Sequence, residues 1–326
     1  AADRCRSRAG ARGAGRGAAR RGLDEAVGVM GGLLLGVGLR LADLVARILP
    51  RPAAYALADL LGWGWYRLAS ERRALVSANL ARVSAATGRP TSGGALRRLV
   101  RQAFVEHARY YLEMLRIPHA STERVGRMVV TDEWERWEPI VRDGAVVATL
   151  HLGNPEPYGA FVVAEGLHGV APVEEIRPRA LFEFLFARRA IGRGIRVVPL
   201  SEARRALMAE LRSGGIAVLV ADRNLAGRGH PTMLFGATTR LPTGPASLAL
   251  ISGKPLMVAA CRRLGPERFR VHAWPIEAEL SGDRRADVAA LTEAMARRME
   301  EAIGESPEQW FAAFQPIWDE ERAAGG

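Results

Sequence analysis

The feature that most constrains the fold of this chain is an alternation of short apolar runs and helical segments that begins near residue 129. The apolar runs are rich in β-branched residues, which is typical of buried strands. They cover residues 146–150, 196–200, 216–221, 255–261 and 269–276. Helical patterns occupy residues 178–190, 202–211, 243–251 and 286–303. This order predicts an α/β fold with a mostly parallel central sheet flanked by helices, whose sites lie beyond the carboxyl ends of the strands.

The remaining sequence divides into three further regions. Residues 1–22 carry seven arginines against one aspartate in an Ala/Gly/Arg context, which predicts a disordered tail. This tail is either an incidental extension or an element attracted to anionic lipid or nucleic acid. Residues 23–120 are predicted to be a helical, membrane-associating region, residues 121–320 the α/β core, and residues 321–326 a short tail.

Two apolar helices open the helical region. The first has an uninterrupted apolar stretch at residues 26–39, which is shorter than the roughly 20 residues that span a bilayer. The second covers residues 54–69 and carries Trp63, Trp65 and Tyr66. Apolar helices that end in Trp, Tyr and Arg suit a membrane surface, so we expect peripheral association, with packing on the core as the alternative.

Composition excludes several classes of protein. Two cysteines, Cys5 and Cys261, are too few for a disulfide framework or a zinc site, which predicts a reducing compartment. Serine-hydrolase elbow, P-loop, complete dinucleotide-binding and H-E-x-x-H motifs are absent from the sequence. We therefore expect no bound metal or cofactor. The net charge of +11 lies largely in the tail, which lacks the interleaved aromatic residues of a nucleic-acid binder, so no nucleic-acid partner is expected.

The stretch with most chemical content is residues 146–161. A β-branched run delivers His151 onto a Gly-Asn-Pro turn that contains Asn154, and Glu156 follows. A histidine can take a proton from a hydroxyl at neutral pH, and a nearby carboxylate can fix its tautomer and stabilise its protonated form. The spacing alone leaves open that His151 is only a strand-end residue.

A second candidate site follows the apolar run at residues 216–221. Asp222 and Arg223 lead into a Gly-rich loop, and Arg240 precedes a Thr-Gly-Pro sequence in which Thr243 can cap a helix. Free N–H groups at that helix start, with the two arginines nearby, predict an anion site. The arginines can also be merely solvated. The same reasoning applies to Arg177, which precedes a proline at a predicted helix start.

Six motifs in a fixed order resemble a known family. They are H-L-G-N-x-E at 151–156, R-P at 177–178, A-D-R-x-L at 221–225, L-F-G at 234–236, R-x-P-x-G-P-A at 240–246 and Q-W-F-x-x-F-Q-P-x-W at 309–318. The sequence resembles the bacterial lipid A biosynthesis acyltransferases from about residue 38 to residue 318. Within that family it is most similar to the actinobacterial phosphatidylinositol mannoside acyltransferases.

The resemblance implies an H-x4-[DE] acyltransferase, peripheral on the cytoplasmic face of the inner membrane. It would move a fatty acyl chain from acyl-CoA or acyl-ACP, as donor substrate, to a hydroxyl of a glycolipid in the membrane. His151 and Glu156 would be catalytic, with Glu156 orienting and balancing the imidazolium. The residues expected to bind substrate are Asn154, Arg177, Asp222, Arg223, Arg240 and Gly244.

Two positions depart from the family pattern. Asn224 replaces a residue that is often acidic in relatives, and Pro155 stands where an aromatic residue is common. We expect a phosphatidylinositol mannoside acceptor and an acyl-CoA donor. The alternatives are a late lipid A acyltransferase that uses acyl-ACP and, from another class, a non-catalytic protein that binds lipid or acyl-CoA.

Overall fold

The computed structural model describes residue 32 and residues 35–324, except residues 132, 192–194, 225, 226 and 228. The tail predicted for residues 1–22 lies outside this range. The described chain opens with α1 (residues 35–48) and three further helices, α2 (Arg51–Leu68), α3 (Ser70–Ala86) and α4 (Gly93–Arg116). No helix in these ranges combines the length and apolarity that crossing a bilayer requires.

Strands and helices then alternate, as the sequence predicts. The strands are β1 (Val129–Val130), β2 (Ala145–Gly153), β3 (Gly169–Val173), β4 (Arg196–Pro199), β5 (Ile216–Val220), β6 (His230–Leu234), β7 (Ala237–Leu241), β8 (Leu256–Gly265) and β9 (Arg268–Pro275). The helices are α5 (Thr122–Gly126), α6 (Trp134–Val141), α7 (Glu156–Ala164), α8 (Arg179–Ile191), α9 (Ala203–Arg212), α10 (Gly244–Ser252), α11 (Arg284–Glu305) and α12 (Asp319–Ala324). Short 3-10 helices cover Ile117–His119, Leu200–Glu202, Pro307–Gln309 and Phe311–Phe314.

In the described chain, seven strands form one sheet in the order β1-β9-β8-β2-β5-β3-β4. The strands from β8 to β4 are parallel, whereas β9 pairs antiparallel with β8. The predicted fold class, α/β with a mostly parallel sheet flanked by helices, is confirmed. The chain turns back after β4, so β5 lies between β2 and β3 and the carboxyl ends of β2 and β5 are neighbours. In open α/β sheets, ligands bind in a crevice outside the carboxyl ends of the strands.

Two apolar layers cover the faces of the sheet because side chains alternate along β2. Val146, Ala148, Leu150 and Leu152 belong to a cluster that includes residues of α10 and α11, and Ala145 and Val147 belong to a cluster that includes residues of α6 and α7. Helices of the N-terminal region contribute to the first cluster through Leu80 of α3 and Phe104 of α4. The side-chain amide of Asn79 donates to the carbonyl of Ala313 at 2.8 Å, which ties α3 to the C-terminal segment.

The sequence did not predict the antiparallel pair β6–β7, which replaces part of a presumed loop. These strands pair only with each other, and buried residues alternate with exposed ones along both. The turn at Phe235 has a positive φ of 51°, and Trp318 Nε1 donates to the carbonyl of Leu234 at 2.8 Å. The prediction that Thr243 caps α10 is corrected: it stands at the N-cap position, but its side chain makes no capping hydrogen bond.

Candidate active site

His151 lies near the carboxyl end of β2, next to the end of β5. The pairing of β2 shifts register between Thr149 and Gly153, and the backbone N–H of Ala221 donates to the carbonyl of Thr149 at 2.9 Å. This brings Asp222 beside His151. The backbone N–H of His151 donates to Asp222 Oδ2 at 3.0 Å, and His151 Nδ1 lies 2.7 Å from Asp222 Oδ1.

Asp222 is buried, with 1% of its surface exposed. Trp310 Nε1 donates to Oδ2 at 2.9 Å, and a β-bridge between Leu152 and Trp310 holds the indole beside β2. Burial alone would raise the pKa of Asp222, but its interaction with His151 and the hydrogen bonds from His151 and Trp310 outweigh that effect, so the pKa lies below its usual range. The carboxylate is therefore ionised at neutral pH.

The Asp222 carboxylate decides which nitrogen of His151 acts as the base. An ionised carboxylate only accepts hydrogen bonds, so Nδ1 carries the proton and Nε2 keeps its lone pair. The His151 side chain is 33% exposed. A hydroxyl that reaches Nε2 can therefore lose its proton, and Asp222 stabilises the resulting imidazolium.

The turn after His151 depends on a glycine. Gly153 has a positive φ of 59°, and a Cβ at this position would lie 2.1 Å from the carbonyl oxygen of Cys261. A side chain cannot fit there without moving β8. The close approach of β2 to β8 therefore fixes the point at which the chain leaves the sheet.

Asn154, which the sequence assigns to substrate binding, makes its hydrogen bonds inside the protein. Its side chain is fully buried. Its Oδ1 accepts from the backbone N–H of Glu156 at 3.1 Å, and its Nδ2 donates to Glu113 at 3.0 Å. Both ends of the amide bind protein, so Asn154 shapes the turn from inside.

Glu156 is partly buried at the first position of α7, where a negative charge is favourable because of the helix dipole. The carboxylate that contacts His151 Nδ1 belongs to Asp222, and the sequence assigns Asp222 to substrate binding. The role of Glu156 beside the imidazolium stays a prediction.

The three predicted arginines differ in their surroundings. Arg223 is held by protein groups, with Nη2 donating to Glu174 at 3.1 Å and Nη1 donating to the side chain of Gln315. Arg177 is exposed, and the side chain of Arg240 lies 3.9 Å from Asp319 near the surface. Gly244 begins α10 and is exposed. Their binding of substrate stays a prediction. Across the described ranges, no group of three or more His, Cys, Asp or Glu side chains has an arrangement that could hold a metal ion.

Sequence reasoning missed the surroundings of His107. Its ring stacks on Phe311 and Tyr111, with centroid distances of 4.6 and 5.0 Å, and meets Trp65 edge-on at 5.3 Å. Burial, with smaller contributions from His151 and Arg72, lowers the pKa of His107 to about 3. A neutral aromatic box thus lies close to His151. Only the aromatic character of residues 107–111 hinted at it in the sequence.

Comparisons with known proteins identify the family. The family model for bacterial lipid A biosynthesis acyltransferases matches residues 33–319. A phosphatidylinositol mannoside acyltransferase of Mycolicibacterium smegmatis is 31% identical over 240 residues, which cover 70% of this chain and 76% of that protein. A phosphatidylinositol mannoside acyltransferase of Mycobacterium tuberculosis is 29% identical over 222 residues, which cover 65% of this chain and 67% of that protein. This chain belongs to the bacterial lipid A biosynthesis acyltransferase family and is an acyltransferase.

Proposed function

We propose that this enzyme moves a long-chain acyl group from acyl-CoA to a sugar hydroxyl of a phosphatidylinositol mannoside at the membrane surface. The observation that carries this proposal is the 2.7 Å contact between His151 Nδ1 and Asp222 in an acyltransferase, with one third of the His151 side chain exposed. That contact prepares a general base, which direct transfer to a hydroxyl needs.

In the proposed reaction, Nε2 of His151 takes the proton of the acceptor hydroxyl while the hydroxyl oxygen attacks the thioester carbonyl. The tetrahedral intermediate collapses, the carbon–sulfur bond breaks, and the imidazolium returns its proton to the departing thiolate. An ester and a free thiol result. Asp222, and in our proposal Glu156, stabilise the imidazolium, and no acyl-enzyme is formed.

Arginine side chains can bind the negatively charged groups of both substrates. Acyl-CoA and a phosphatidylinositol mannoside both contain phosphates, which arginine binds through two parallel hydrogen bonds. We assign this role to Arg177, Arg223 and Arg240. Backbone N–H groups or an arginine would stabilise the oxyanion of the tetrahedral intermediate.

The acceptor is proposed from the relatives. Proteins that match most of this chain at about 30% identity are named phosphatidylinositol mannoside acyltransferases. A late lipid A acyltransferase that uses acyl-ACP remains the alternative, and an acceptor assay separates the two.

Membrane association is proposed from the surface of α1 and α2. Large apolar side chains there are exposed, among them Leu41, Ile48, Leu60, Leu61 and Leu68. Contiguous exposed apolar surface rimmed by basic residues is typical of interfacial helices. We propose peripheral binding to the cytoplasmic face of the cell membrane, where the acceptor headgroup would reach the crevice.

An open cleft of about 710 Å³ adjoins these helices and is lined by arginines of α2, α3 and α4. They are Arg67, Arg73, Arg97, Arg98 and Arg101, with Trp63 and Tyr66 beside them. Its charge would attract the phosphates of an anionic bilayer.

The experiment that tests the function is a matrix of donors and acceptors. Purified enzyme is incubated with palmitoyl-CoA or palmitoyl-ACP and with phosphatidylinositol mannoside, a lipid A precursor or no acceptor, and products are identified by mass spectrometry. We expect acyl-CoA-dependent acylation of the mannoside, absent from His151→Ala. Acylation of the lipid A precursor alone would overturn the acceptor, and transfer only from acyl-ACP would overturn the donor.

A further inference from the structure

A buried carboxylate on α4 lies beneath the catalytic turn. Glu113 is fully buried and accepts four hydrogen bonds from three residues. Tyr55 of α2 donates to Oε1 at 2.6 Å, Arg263 of β8 donates from Nε and Nη2 at 2.6 Å each, and Asn154 donates to Oε2 at 3.0 Å. Its two oxygens thus join helices of the N-terminal region to the sheet and to the turn between His151 and Glu156.

Glu113 and Arg263 form a buried ion pair. Burial would lower the pKa of Arg263, but Glu113 and Glu106 more than compensate, so that pKa is raised. Arg263 Nη1 also donates to Glu106. Because an unpaired buried charge is strongly unfavourable, removal of either charge from this pair would destabilise the fold. The alternative for Glu113 is therefore a purely structural role.

The contact with Asn154 goes beyond support of the fold. Asn154 uses Nδ2 for Glu113 and Oδ1 for the backbone N–H of Glu156, the first residue of α7. The direction of the amide is therefore fixed at both ends. A shift of Asn154 would move the turn that leads from His151 to Glu156.

The same hydrogen-bond network also extends to Asp222, the carboxylate that contacts His151. Gln309 exchanges two hydrogen bonds with the backbone of Arg263, at 2.6 and 3.0 Å. The next residue, Trp310, donates to Asp222. The pair Glu113–Arg263 thus connects to His151 through Asn154 on one side and through Gln309 and Trp310 on the other.

We propose that Glu113 is a positioning residue for acyl transfer, which holds the His151–Glu156 turn in its reactive geometry through its hydrogen bond to Asn154. This inference rests on the proposed function. Misplacement of a reacting group by about 1 Å can cost roughly 100-fold in rate, so loss of this contact should reduce kcat much more than substrate binding.

The hydrogen bond between Glu113 and Asn154 can be tested by exchanging its donor and its acceptor. In Glu113→Gln the side chain has one acceptor oxygen instead of two, so it turns an N–H towards Arg263 or Asn154, both of which are donors there. In Asn154→Asp two carboxylates face each other. The double variant Glu113→Gln/Asn154→Asp restores one donor and one acceptor between positions 113 and 154, and the new aspartate still accepts from the Glu156 N–H. The new amide N–H also faces Arg263 Nη2, which donates to the same oxygen in the wild type, so the double variant measures the coupling of the two residues and not a full rescue.

The matched control is Tyr55→Phe. It removes another hydrogen bond to Glu113, and the acceptor of the backbone N–H of Glu267, but leaves the hydrogen bond between Glu113 and Asn154 in place. We expect a lower Tm in Tyr55→Phe and in Glu113→Gln alike. We expect kcat to fall 10- to 100-fold in Glu113→Gln and Asn154→Asp, with KM values within about threefold, and to stay near wild type in Tyr55→Phe. In the double variant kcat should fall clearly less than the product of the two single losses.

Hydrogen exchange of the Glu156 amide gives a readout that needs no turnover. The positioning role predicts faster exchange of this amide in Glu113→Gln and Asn154→Asp and no change in Tyr55→Phe. Wild-type exchange in both single variants, or losses of kcat that simply multiply in the double variant, would overturn the inference. If Glu113→Gln does not fold, normal kcat and amide exchange in Asn154→Asp would equally overturn it. A wild-type enzyme without acyl transfer would contradict the proposed function and leave the exchange comparison intact.

Discussion

Asp222 holds His151 from two sides, with Oδ1 2.7 Å from the imidazole Nδ1 and Oδ2 accepting the His151 backbone N–H at 3.0 Å. The two residues are 71 positions apart, and they meet because β2 and β5 are neighbours in the sheet. The indole N–H of Trp310 also donates a hydrogen bond to Asp222 Oδ2. Ring orientation, tautomer and imidazolium charge therefore all depend on one buried carboxylate.

Asp222→Asn should reduce kcat roughly 10³- to 10⁴-fold while the fold survives, because an amide of the same shape cannot fix the tautomer or balance the imidazolium. Acyl transfer under saturating donor measures the loss, and circular dichroism verifies the fold. A variant within tenfold of wild type would show that Asp222 is not the main partner of His151. Glu156→Gln, measured in parallel, shows how much the second carboxylate contributes.

Gly153→Ala should destabilise the protein by about 4 kcal/mol or more, because a methyl group at a positive φ would overlap the carbonyl of Cys261. Gly166→Ala is the matched control: its φ is also positive, at 81°, but no atom lies within 4 Å of the added carbon. We expect this control to cost about 1–2 kcal/mol. Urea denaturation of both variants measures the difference, and equal losses would contradict the tight approach of β2 to β8.

His107→Phe should make stability less sensitive to acid. The folded state leaves His107 neutral down to a pKa of about 3, whereas the unfolded chain binds a proton below about 6.5. Unfolding therefore takes up a proton in this window, and the wild-type free energy of unfolding falls as pH falls, by at most ~1.4 kcal/mol per pH unit from this group.

Chemical denaturation between pH 4 and pH 7 measures this contribution to the slope. Phenylalanine preserves the aromatic packing, so the variant should lose less stability than wild type over the same interval. Tyr110→Phe is the control, because the Tyr110 ring lies beside those of His107 and Phe311, with centroid distances of 6.2 and 5.2 Å, and the change removes no histidine. This control should keep the wild-type slope. Parallel curves for His107→Phe and wild type would contradict the buried neutral state.

Arg97→Gln/Arg98→Gln/Arg101→Gln should weaken binding to anionic vesicles. These arginines line the cleft beside the exposed apolar side chains of α2, and each contributes ~1 kcal/mol to attraction by an anionic bilayer. Co-sedimentation with phosphatidylinositol-containing vesicles should fall at least tenfold. Arg284→Gln/Arg285→Gln/Arg297→Gln removes the same charge from exposed positions of α11 and should bind almost normally. Equal losses of vesicle binding in both variants would show that net charge, and not the position of these arginines, causes the effect.

Strands β2, β4, β5, β8 and β9 were predictable because their apolar runs are rich in β-branched residues. Strands β1 and β3 were missed, because β1 has only two residues and β3 contains Gly169 and Pro172. The predicted runs at 146–150 and 216–221 overlap β2 and β5 closely. Strand order was not predictable, since β5 inserts between β2 and β3 only in three dimensions. For that reason the sequence placed His151 and Asp222 correctly at strand ends but did not pair them.

The interior of the site shows a second limit of sequence reasoning. Asn154 follows a catalytic-type histidine on a turn, which suggests substrate contact, but Glu113, a residue of a distant helix, draws its side chain inwards. The β6–β7 pair escaped prediction because its strands pair only with each other and its Pro and Gly residues indicate a loop. Both features depend on contacts between residues far apart in the chain.

The most direct test of the central claim is the rate of acyl transfer by His151→Ala, measured with the binding of a non-hydrolysable acyl-CoA analogue. Removal of the base should reduce transfer by at least about 10³-fold, while analogue affinity stays within about threefold of wild type and the fold is unchanged. Near-normal turnover in this variant would contradict the assignment of His151 as the general base.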